Sequence, residues 1–218
     1  MTNPTQSCRA LVLDFDGVII ESNALKTLTF REVFARFPEH LDAMMDWHES
    51  HMPESRYTKF RHLAERLGQA DDETLVASLA KDFSSRMIDR AVTCPVVRGA
   101  IELLADLADR VPLFVVSLTP EPELRQILDR RELTSFFAGI FGCPPWSKAS
   151  ALQCIIDRIG GRDGVVFVGD SAGDQRAARD CGIRFIGRES GLAFDEPRPA
   201  VCADLIAVRE ILSASICR

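Results

Sequence analysis

Short apolar runs alternate with helical patterns along most of this sequence, and this alternation limits the folds open to the chain more than any other feature. The runs are rich in β-branched and aromatic residues and do not alternate strictly with polar ones, which is typical of strands buried on both faces of a parallel sheet. Between them, apolar residues recur at helical spacing, as at Val97, Ile101 and Leu104. Strand and helix in turn predict right-handed βαβ units, and therefore an α/β fold with a doubly wound, Rossmann-like parallel sheet. The five runs lie at residues 10–14, 111–116, 139–142, 165–168 and 183–186.

Residues from about 22 to 90 lack strand-like runs and carry three helical faces instead. We therefore predict an all-helical domain at residues 21–91, inserted after the first strand, and an α/β core made of residues 1–20 and 92–218. A loop is predicted at residues 189–199, which contain glycine and proline. The apolar residues of the three faces are Phe30, Val33, Phe34 and Phe37, then Tyr57, Phe60, Leu63, Ala64 and Leu67, then Leu75, Leu79, Phe83 and Met87.

The composition is that of an acidic globular protein. Lys and Arg number 26 against 32 Asp and Glu, which gives a formal net charge of −6. Nucleic-acid binders normally show a concentrated basic excess, so we expect no nucleic-acid partner. The sequence lacks a stretch of membrane-spanning length and the start of a signal peptide, and its 7 cysteines contain no CxxC pair. We expect a soluble cytoplasmic protein with reduced thiols, no membrane association and no evident protein partner.

Two of the predicted strands end in pairs of carboxylates. Asp14 and Asp16 end the first run, just before Gly17, and Asp170 and Asp174 follow the fourth. Each pair could mark only a turn, because Asp and Gly favour turns. However, parallel strands open their carboxyl ends on the same side of a sheet, so the four acids could converge. Clustered carboxylates repel unless a cation or proton neutralises them, and all-oxygen ligation suits Mg²⁺, which predicts a magnesium site.

A hydroxyl and an ammonium group extend this set. Ser117 follows the second run, and Lys148 opens a helix. Neither residue is informative alone, since most lysines are solvated. In chain order, however, Asp14 with Asp16, Ser117, Lys148 and the later pair of acids resemble the motifs of the haloacid dehalogenase-like hydrolases, which are mostly phosphatases. The resemblance covers the whole core. The position of the insert is similar to that in members with a helical cap, such as phosphoglycolate phosphatases and β-phosphoglucomutase-like phosphatases.

The resemblance implies a catalytic role for four residues. Asp14 would be the nucleophile that forms an aspartyl-phosphate, and Asp16 the general acid and base. Ser117 and Lys148 would hold the transferring phosphoryl group. These residue types suit the chemistry, because a carboxylate that attacks phosphorus divides one difficult displacement into two. The second acid can protonate the leaving alkoxide and then accept a proton from water.

The resemblance also implies a ligand set for Mg²⁺. The metal would be bound by Asp14, by the backbone carbonyl of Asp16 and by Asp170. Asp174 would support this set from outside it or serve as an occasional ligand.

The insert contains candidate substrate-binding residues. Arg56 belongs to a Ser-Arg pair that resembles a cap segment of some related hydrolases, where such a pair faces the active site. Arg56 is therefore a candidate second contact for an anionic substrate, and Lys26 and Leu118 are further candidate substrate-binding residues. Alternatively, Arg56, Lys59 and Arg61 form a solvated helix face.

The leading interpretation is a Mg²⁺-dependent phosphatase that acts on a small phosphorylated metabolite. Asp16 argues against the carbon–halogen dehalogenases and the phosphonate-cleaving relatives, which lack a second Asp at this position. A phosphomutase of the β-phosphoglucomutase type remains an alternative, although such enzymes commonly carry Glu where this chain has Gly169 before Asp170. A non-catalytic binding protein on the same fold is the other alternative, and the competent residues at every motif position favour an enzyme over it.

Overall fold

A six-stranded parallel sheet organises most of the chain. The computed structural model describes residues 7–213, and the strands run in the order β3-β2-β1-β4-β5-β6, with every neighbouring pair parallel. The strands are β1 (Ala10–Leu13), β2 (Leu113–Ser117), β3 (Gly139–Gly142), β4 (Val165–Gly169), β5 (Arg184–Arg188) and β6 (Val201–Cys202). The helices are α1 (Asn23–Phe34), α2 (Leu41–Ser50), α3 (Arg56–Arg66), α4 (Glu73–Thr93), α5 (Ala100–Leu107), α6 (Glu121–Arg130), α7 (Lys148–Ile159), α8 (Ala172–Cys181) and α9 (Leu205–Ser213).

The described residues form two compact units, divided between Glu21 and Ser22 and between Thr93 and Cys94. The segments before Ser22 and after Thr93 form the core unit, which contains the whole sheet. Ser22–Thr93 is the helical unit, built from α1 to α4.

Both faces of the sheet in the core unit are covered. Successive side chains of a strand point to opposite faces, and β1, β2 and β4 are buried along their whole length. Val12, Phe114 and Phe167 point to one face and share a cluster with Leu152 and Ile155 of α7. Their strand neighbours, which point to the other face, are buried as well. This arrangement confirms the predicted doubly wound parallel sheet.

Four phenylalanines form the centre of the helical unit. The ring centroids of Phe30 and Phe83 lie 4.4 Å apart, and Phe34 and Phe60 complete the cluster at centroid distances up to 6.1 Å. They come from α1, α3 and α4, so the cluster joins the three helices whose apolar faces the sequence indicates. The described residues of this unit contain no strand, as predicted.

The structure differs from the sequence-based expectation in some elements. Helix α2 was not predicted, because its buried face consists of Met44, Met45 and the polar His48. Phe37, assigned to the first helical face, lies after the end of α1. Strand β5 ends at Arg188, later than expected, and the two-residue strand β6 follows the predicted loop.

No disulfide links the cysteines within residues 7–213, and Cys217 lies outside the described residues. Across the same residues, no helix combines the length and the apolar character needed to cross a membrane.

Candidate active site

The predicted acids lie where the sheet reverses its strand order. Strand β1 lies between β2 and β4, and open α/β sheets bind ligands at such a point, beyond the carboxyl ends of the strands. Asp14 follows β1 directly, Ser117 is the last residue of β2, and Asp170 follows β4 directly. The backbone N–H of Asp14 donates to the carbonyl of Val168, 2.9 Å away, so the residue that follows β1 is fixed against β4.

Three carboxylates come together at this edge. Oxygen atoms of Asp14, Asp170 and Asp174 all lie within 4.8 Å of one another, and the three residues are buried. Asp174 lies in the first turn of α8, whose N-terminus is capped by Ser171. Gly169 makes this approach possible, because a Cβ atom at that position would lie 2.3 Å from the Cβ of Asp174. Such a set of oxygen donors fits a hard divalent cation such as Mg²⁺.

Lys148 joins two of these carboxylates. Its Nζ lies 3.0 Å from Oδ2 of Asp14 and also contacts Oδ1 of Asp174, and only 11% of its side chain is exposed. Lys148 is the first residue of α7, and Ser147 and Ser150 close the N-terminus of that helix with reciprocal hydrogen bonds. The start of the helix therefore positions the ammonium group.

The charges of the site are unbalanced. Burial raises the pKa of Asp14 well above its usual range. The Lys148 ammonium opposes this rise, and the carboxylates of Asp174, Asp170 and Asp16 add to it. Burial lowers the pKa of Lys148, but Asp14 and Asp174 outweigh that effect and raise it, so the amine stays charged. The single ammonium group of Lys148 contacts Asp14 and Asp174 beside Asp170, so this group of three carboxylates keeps an excess of negative charge that a divalent cation would relieve.

Asp16 is held by hydroxyl groups. The Oγ of Ser117 and the Oγ1 of Thr119 each donate to Oδ2 of Asp16 at 3.2 Å. Asp16 lies in the turn after β1, where Gly17 adopts a φ of +73° that favours glycine. The side chain of Asp16 is not part of the carboxylate group around Asp14, and its predicted metal ligand is its backbone carbonyl instead.

Two buried residues of this edge were missed by the sequence analysis. Thr119 follows Ser117 by two residues, but a lone threonine after a strand carries no motif that would single it out. Arg188, at the end of β5, donates from Nη1 to the carbonyl of Gly17 and to Oε2 of Glu21, both at 3.1 Å. A single arginine at a strand end carries no motif, so only the structure shows that it fixes the turn after β1.

The candidate substrate-binding residues are spread over both units. Leu118 directly follows β2, whereas Lys26 on α1 and Arg56 at the start of α3 belong to the helical unit. All three remain predictions. The guanidinium of Arg56 is buried, lies 4.6 Å from the ring centroid of Phe83 and donates to Oγ of Ser84 at 2.7 Å.

The alternative of a solvated basic face is wrong for two of its three residues. Arg56 and Lys59 are buried, because aromatic rings from α1 and α4 cover them. Arg61 is exposed, as the alternative expected, and the structure pairs it with Glu73.

Lys59 is an unusual buried cation. Its Nζ lies 2.9 Å from Nδ1 of His48 and 5.0 Å from the ring centroid of Phe30. Burial lowers the pKa of Lys59 to about 7, with Lys26 adding to this and Glu54 opposing it. Burial, together with Lys59, lowers the pKa of His48 to about 4. The helical unit thus contains an amine whose charge is costly near neutral pH.

Lys59→Met is expected to remove a pH dependence of stability. The pKa of Lys59 is about 7 in the folded chain against an ordinary 10.5, so the unfolded chain binds more protons between these values. Wild-type stability therefore rises with pH in that window. Lys59→Met lacks this group, so between pH 7 and pH 10 the free energy of unfolding of the wild type should rise by about 4 kcal/mol relative to that of the variant. Urea unfolding at several pH values measures this difference, with the exposed Lys81→Met as control. Parallel stability curves for wild type and Lys59→Met would contradict the expectation.

Known proteins resemble the chain over nearly its full length. A phosphoglycolate phosphatase from Synechococcus elongatus is 27% identical over 199 residues, which are 90% of this chain and 91% of that protein. A provisionally named phosphoglycolate phosphatase from Lactobacillus delbrueckii superposes with a TM-score of 0.74 and 18% identity, covering 94% of this chain and 98% of its own. The provisionally named hydrolase YfnB from Bacillus subtilis, solved with bound magnesium, gives a TM-score of 0.69 and 15% identity, covering 95% and 100%. At these identities, the two solved structures establish the fold alone.

The family itself follows from the sequence match. The model of the haloacid dehalogenase-like hydrolases matches residues 11–188, which are more than half of the chain. That segment contains the whole site from Asp14 to Asp174. The chain therefore belongs to the haloacid dehalogenase-like hydrolases and is an enzyme, as the sequence predicted.

Proposed function

We propose that the enzyme is a Mg²⁺-dependent phosphatase that hydrolyses a small phosphorylated metabolite through an aspartyl-phosphate on Asp14. The observation that carries this proposal is the buried group at the carboxyl edge of the sheet, in which Lys148 contacts both Asp14 and Asp174 beside Asp170. A carboxylate nucleophile, a fixed cation and a set of oxygen donors are the components that phosphoryl transfer to an aspartate needs.

Asp14 attacks the phosphorus atom in this mechanism. The backbone N–H of Phe15 donates to Oδ1 of Asp14 at 2.8 Å, while Oδ2 faces Lys148. The two oxygens are thus distinguished, and the carboxylate is held in one orientation. Lys148 places positive charge beside the nucleophile and reduces the repulsion between the carboxylate and the incoming phosphate. The phosphoryl group passes to Asp14, and water then releases it as phosphate.

A metal would complete the charge balance. Asp14, Asp170 and the backbone carbonyl of Asp16 would hold Mg²⁺, which supplies positive charge to the phosphoryl oxygens when bound. Both oxygens of the Asp174 carboxylate have partners, Lys148 at Oδ1 and the Oγ of Ser171 at Oδ2. Its contact with Lys148 suits Asp174 to positioning the ammonium group beside the metal ligands. The magnesium in the Bacillus subtilis relative supports the choice of metal.

Asp16 and Ser117 serve the leaving group and the phosphoryl group. Asp16 gives a proton to the leaving alkoxide and later takes one from the attacking water. Ser117 donates a hydrogen bond from its hydroxyl group to a phosphoryl oxygen. Both residues lie at the edge occupied by Asp14, on the turn after β1 and at the end of β2.

The substrate is a small phosphorylated metabolite in this proposal, and the phosphoglycolate phosphatase from Synechococcus elongatus supports that class. We assign residues 1–20 and 92–218 to a catalytic core and residues 21–91 to a cap. Arg56, Lys26 and Leu118 contribute to substrate binding. The enzyme acts in the cytoplasm, where its thiols stay reduced.

Phosphate release from a panel of phosphorylated metabolites, with Mg²⁺ and with EDTA, tests the function. The panel includes phosphoglycolate, sugar phosphates and nucleoside monophosphates. We expect metal-dependent release of free phosphate from one class. Transfer of the phosphoryl group to another position of a sugar would show a phosphomutase. An absence of both turnover and Mg²⁺ binding would favour a non-catalytic binding protein and overturn the proposal.

A further inference from the structure

The hydroxyl group of Ser117 has one proton to donate, and in the proposed function two acceptors compete for it: the carboxylate of Asp16 and a phosphoryl oxygen. In the structure it donates to Oδ2 of Asp16 at 3.2 Å, and it also accepts from the backbone N–H of Thr119 at 3.0 Å. A serine hydroxyl donates a single hydrogen bond. When Ser117 turns its proton to a phosphoryl oxygen, as the proposed function requires, Asp16 loses this donor.

The hydroxyl of Thr119 reaches the same carboxylate oxygen. Its Oγ1 donates to Oδ2 of Asp16 at 3.2 Å, and the residue is buried, with 4% of its surface exposed. The backbone of Thr119 is fixed on both sides. Its N–H is bound to Ser117, and its carbonyl accepts from the N–H of Cys143 at 3.2 Å. A Cβ atom at Gly142 would lie 2.6 Å from the same carbonyl, so β3 approaches this segment closely.

We propose that Thr119 is a positioning residue for Asp16. Its hydroxyl holds the Asp16 carboxyl group in one rotation about the Cβ–Cγ bond after the Ser117 hydroxyl has turned its hydrogen bond to the phosphoryl group. In the first step, the bond between phosphorus and the leaving oxygen breaks, and the proton of Asp16 passes to that oxygen while the phosphoryl group bonds to Asp14. The rotation of the carboxyl group decides whether the proton meets the leaving oxygen. This inference rests on the proposed phosphatase function.

The position of Thr119 separates its effect from that of Ser117. Ser117 acts on the phosphoryl group, which every substrate shares. Thr119 acts only through Asp16, and Asp16 matters in the first step only when the leaving group needs a proton. An alkyl phosphate releases a basic alkoxide and needs this proton, whereas p-nitrophenyl phosphate releases a stable phenolate and does not.

The experiment compares kcat/KM for these two kinds of substrate, since kcat/KM covers the steps up to the departure of the leaving group. Thr119→Val replaces the hydroxyl with a methyl group of similar volume. It is expected to lower kcat/KM for the best alkyl phosphate by roughly tenfold or more, mainly through kcat, because general acid catalysis is impaired. For p-nitrophenyl phosphate, the loss should stay below about threefold.

Two further variants complete the test. Thr119→Ser keeps the hydroxyl and is expected to restore kcat/KM for the alkyl phosphate to within about threefold of wild type. Ser117→Ala is expected to lower kcat/KM for both substrates. The proposal is overturned by equal losses for both substrates in Thr119→Val, by no loss for either, or by a failure of Thr119→Ser to restore activity. A wild-type enzyme that releases phosphate from neither substrate would instead overturn the proposed function.

Discussion

Asp14→Asn is expected to abolish phosphate release while the protein stays folded. The amide is not a nucleophile towards phosphorus, so activity should fall by roughly three orders of magnitude or more. The substitution keeps the shape of the side chain, and its oxygen can still accept the hydrogen bond from the N–H of Phe15. Phosphate release at saturating Mg²⁺ measures the loss.

The stability of this variant provides a second, independent readout. Asp14→Asn removes one carboxylate from the buried group of three, and Lys148 keeps Asp174 as its partner, so the metal-free variant should be at least as stable as the wild type. Asp180→Asn, an exposed aspartate on α8, is the control and should leave both activity and Tm unchanged. Residual activity above about one per cent in Asp14→Asn would exclude Asp14 as the nucleophile.

Lys148→Met is expected to disable the enzyme and to destabilise the metal-free protein. Without the ammonium, Asp14 and Asp174 are buried next to each other with no cation between them. Removing one partner of a buried ion pair typically costs about 3–5 kcal/mol, because an uncompensated charge is left behind. Activity should fall by roughly a hundredfold or more, since the phosphoryl group loses its fixed cation.

Mg²⁺ distinguishes this electrostatic loss from poor packing. A divalent cation supplies charge to the same carboxylates, so it should restore part of the lost stability in Lys148→Met and stabilise the wild type less. Urea unfolding with Mg²⁺ and with EDTA measures both effects. The exposed Lys81→Met is again the matched control. A metal-free Lys148→Met as stable as the wild type would contradict the account of the site.

The central strands and the acids at their ends could be predicted from sequence because both follow from the geometry of a parallel sheet. Strands such as β1 and β4 are buried on both faces, so their apolar runs stand out from the amphipathic helices. Parallel strands also open at one edge, which brings Asp14 and Asp170 together although 155 residues separate them. The sequence also placed Lys148 at the start of a helix, and it is the first residue of α7 in the structure.

Other features depend on tertiary contacts that no local pattern encodes. Helical periodicity places Arg56 and Lys59 beside the apolar face of α3, but their burial results from Phe83 on α4 and Phe30 on α1. In the sequence, nothing distinguishes Thr119 from the other residues between β2 and α6. The structure shows that its hydroxyl donates to Asp16, which follows the neighbouring strand β1.

The measurement that tests the central claim most directly is the capture of a phosphorylated Asp14. The Asp16→Asn variant suits it, because p-nitrophenyl phosphate needs no acid in the first step, whereas hydrolysis of the intermediate still needs a base. With radiolabelled substrate, Mg²⁺ and a rapid acid quench, the account predicts a burst of p-nitrophenolate equal to the enzyme concentration and a label on the peptide that contains Asp14. A burst without a protein-bound label, or a label on another residue, would contradict it.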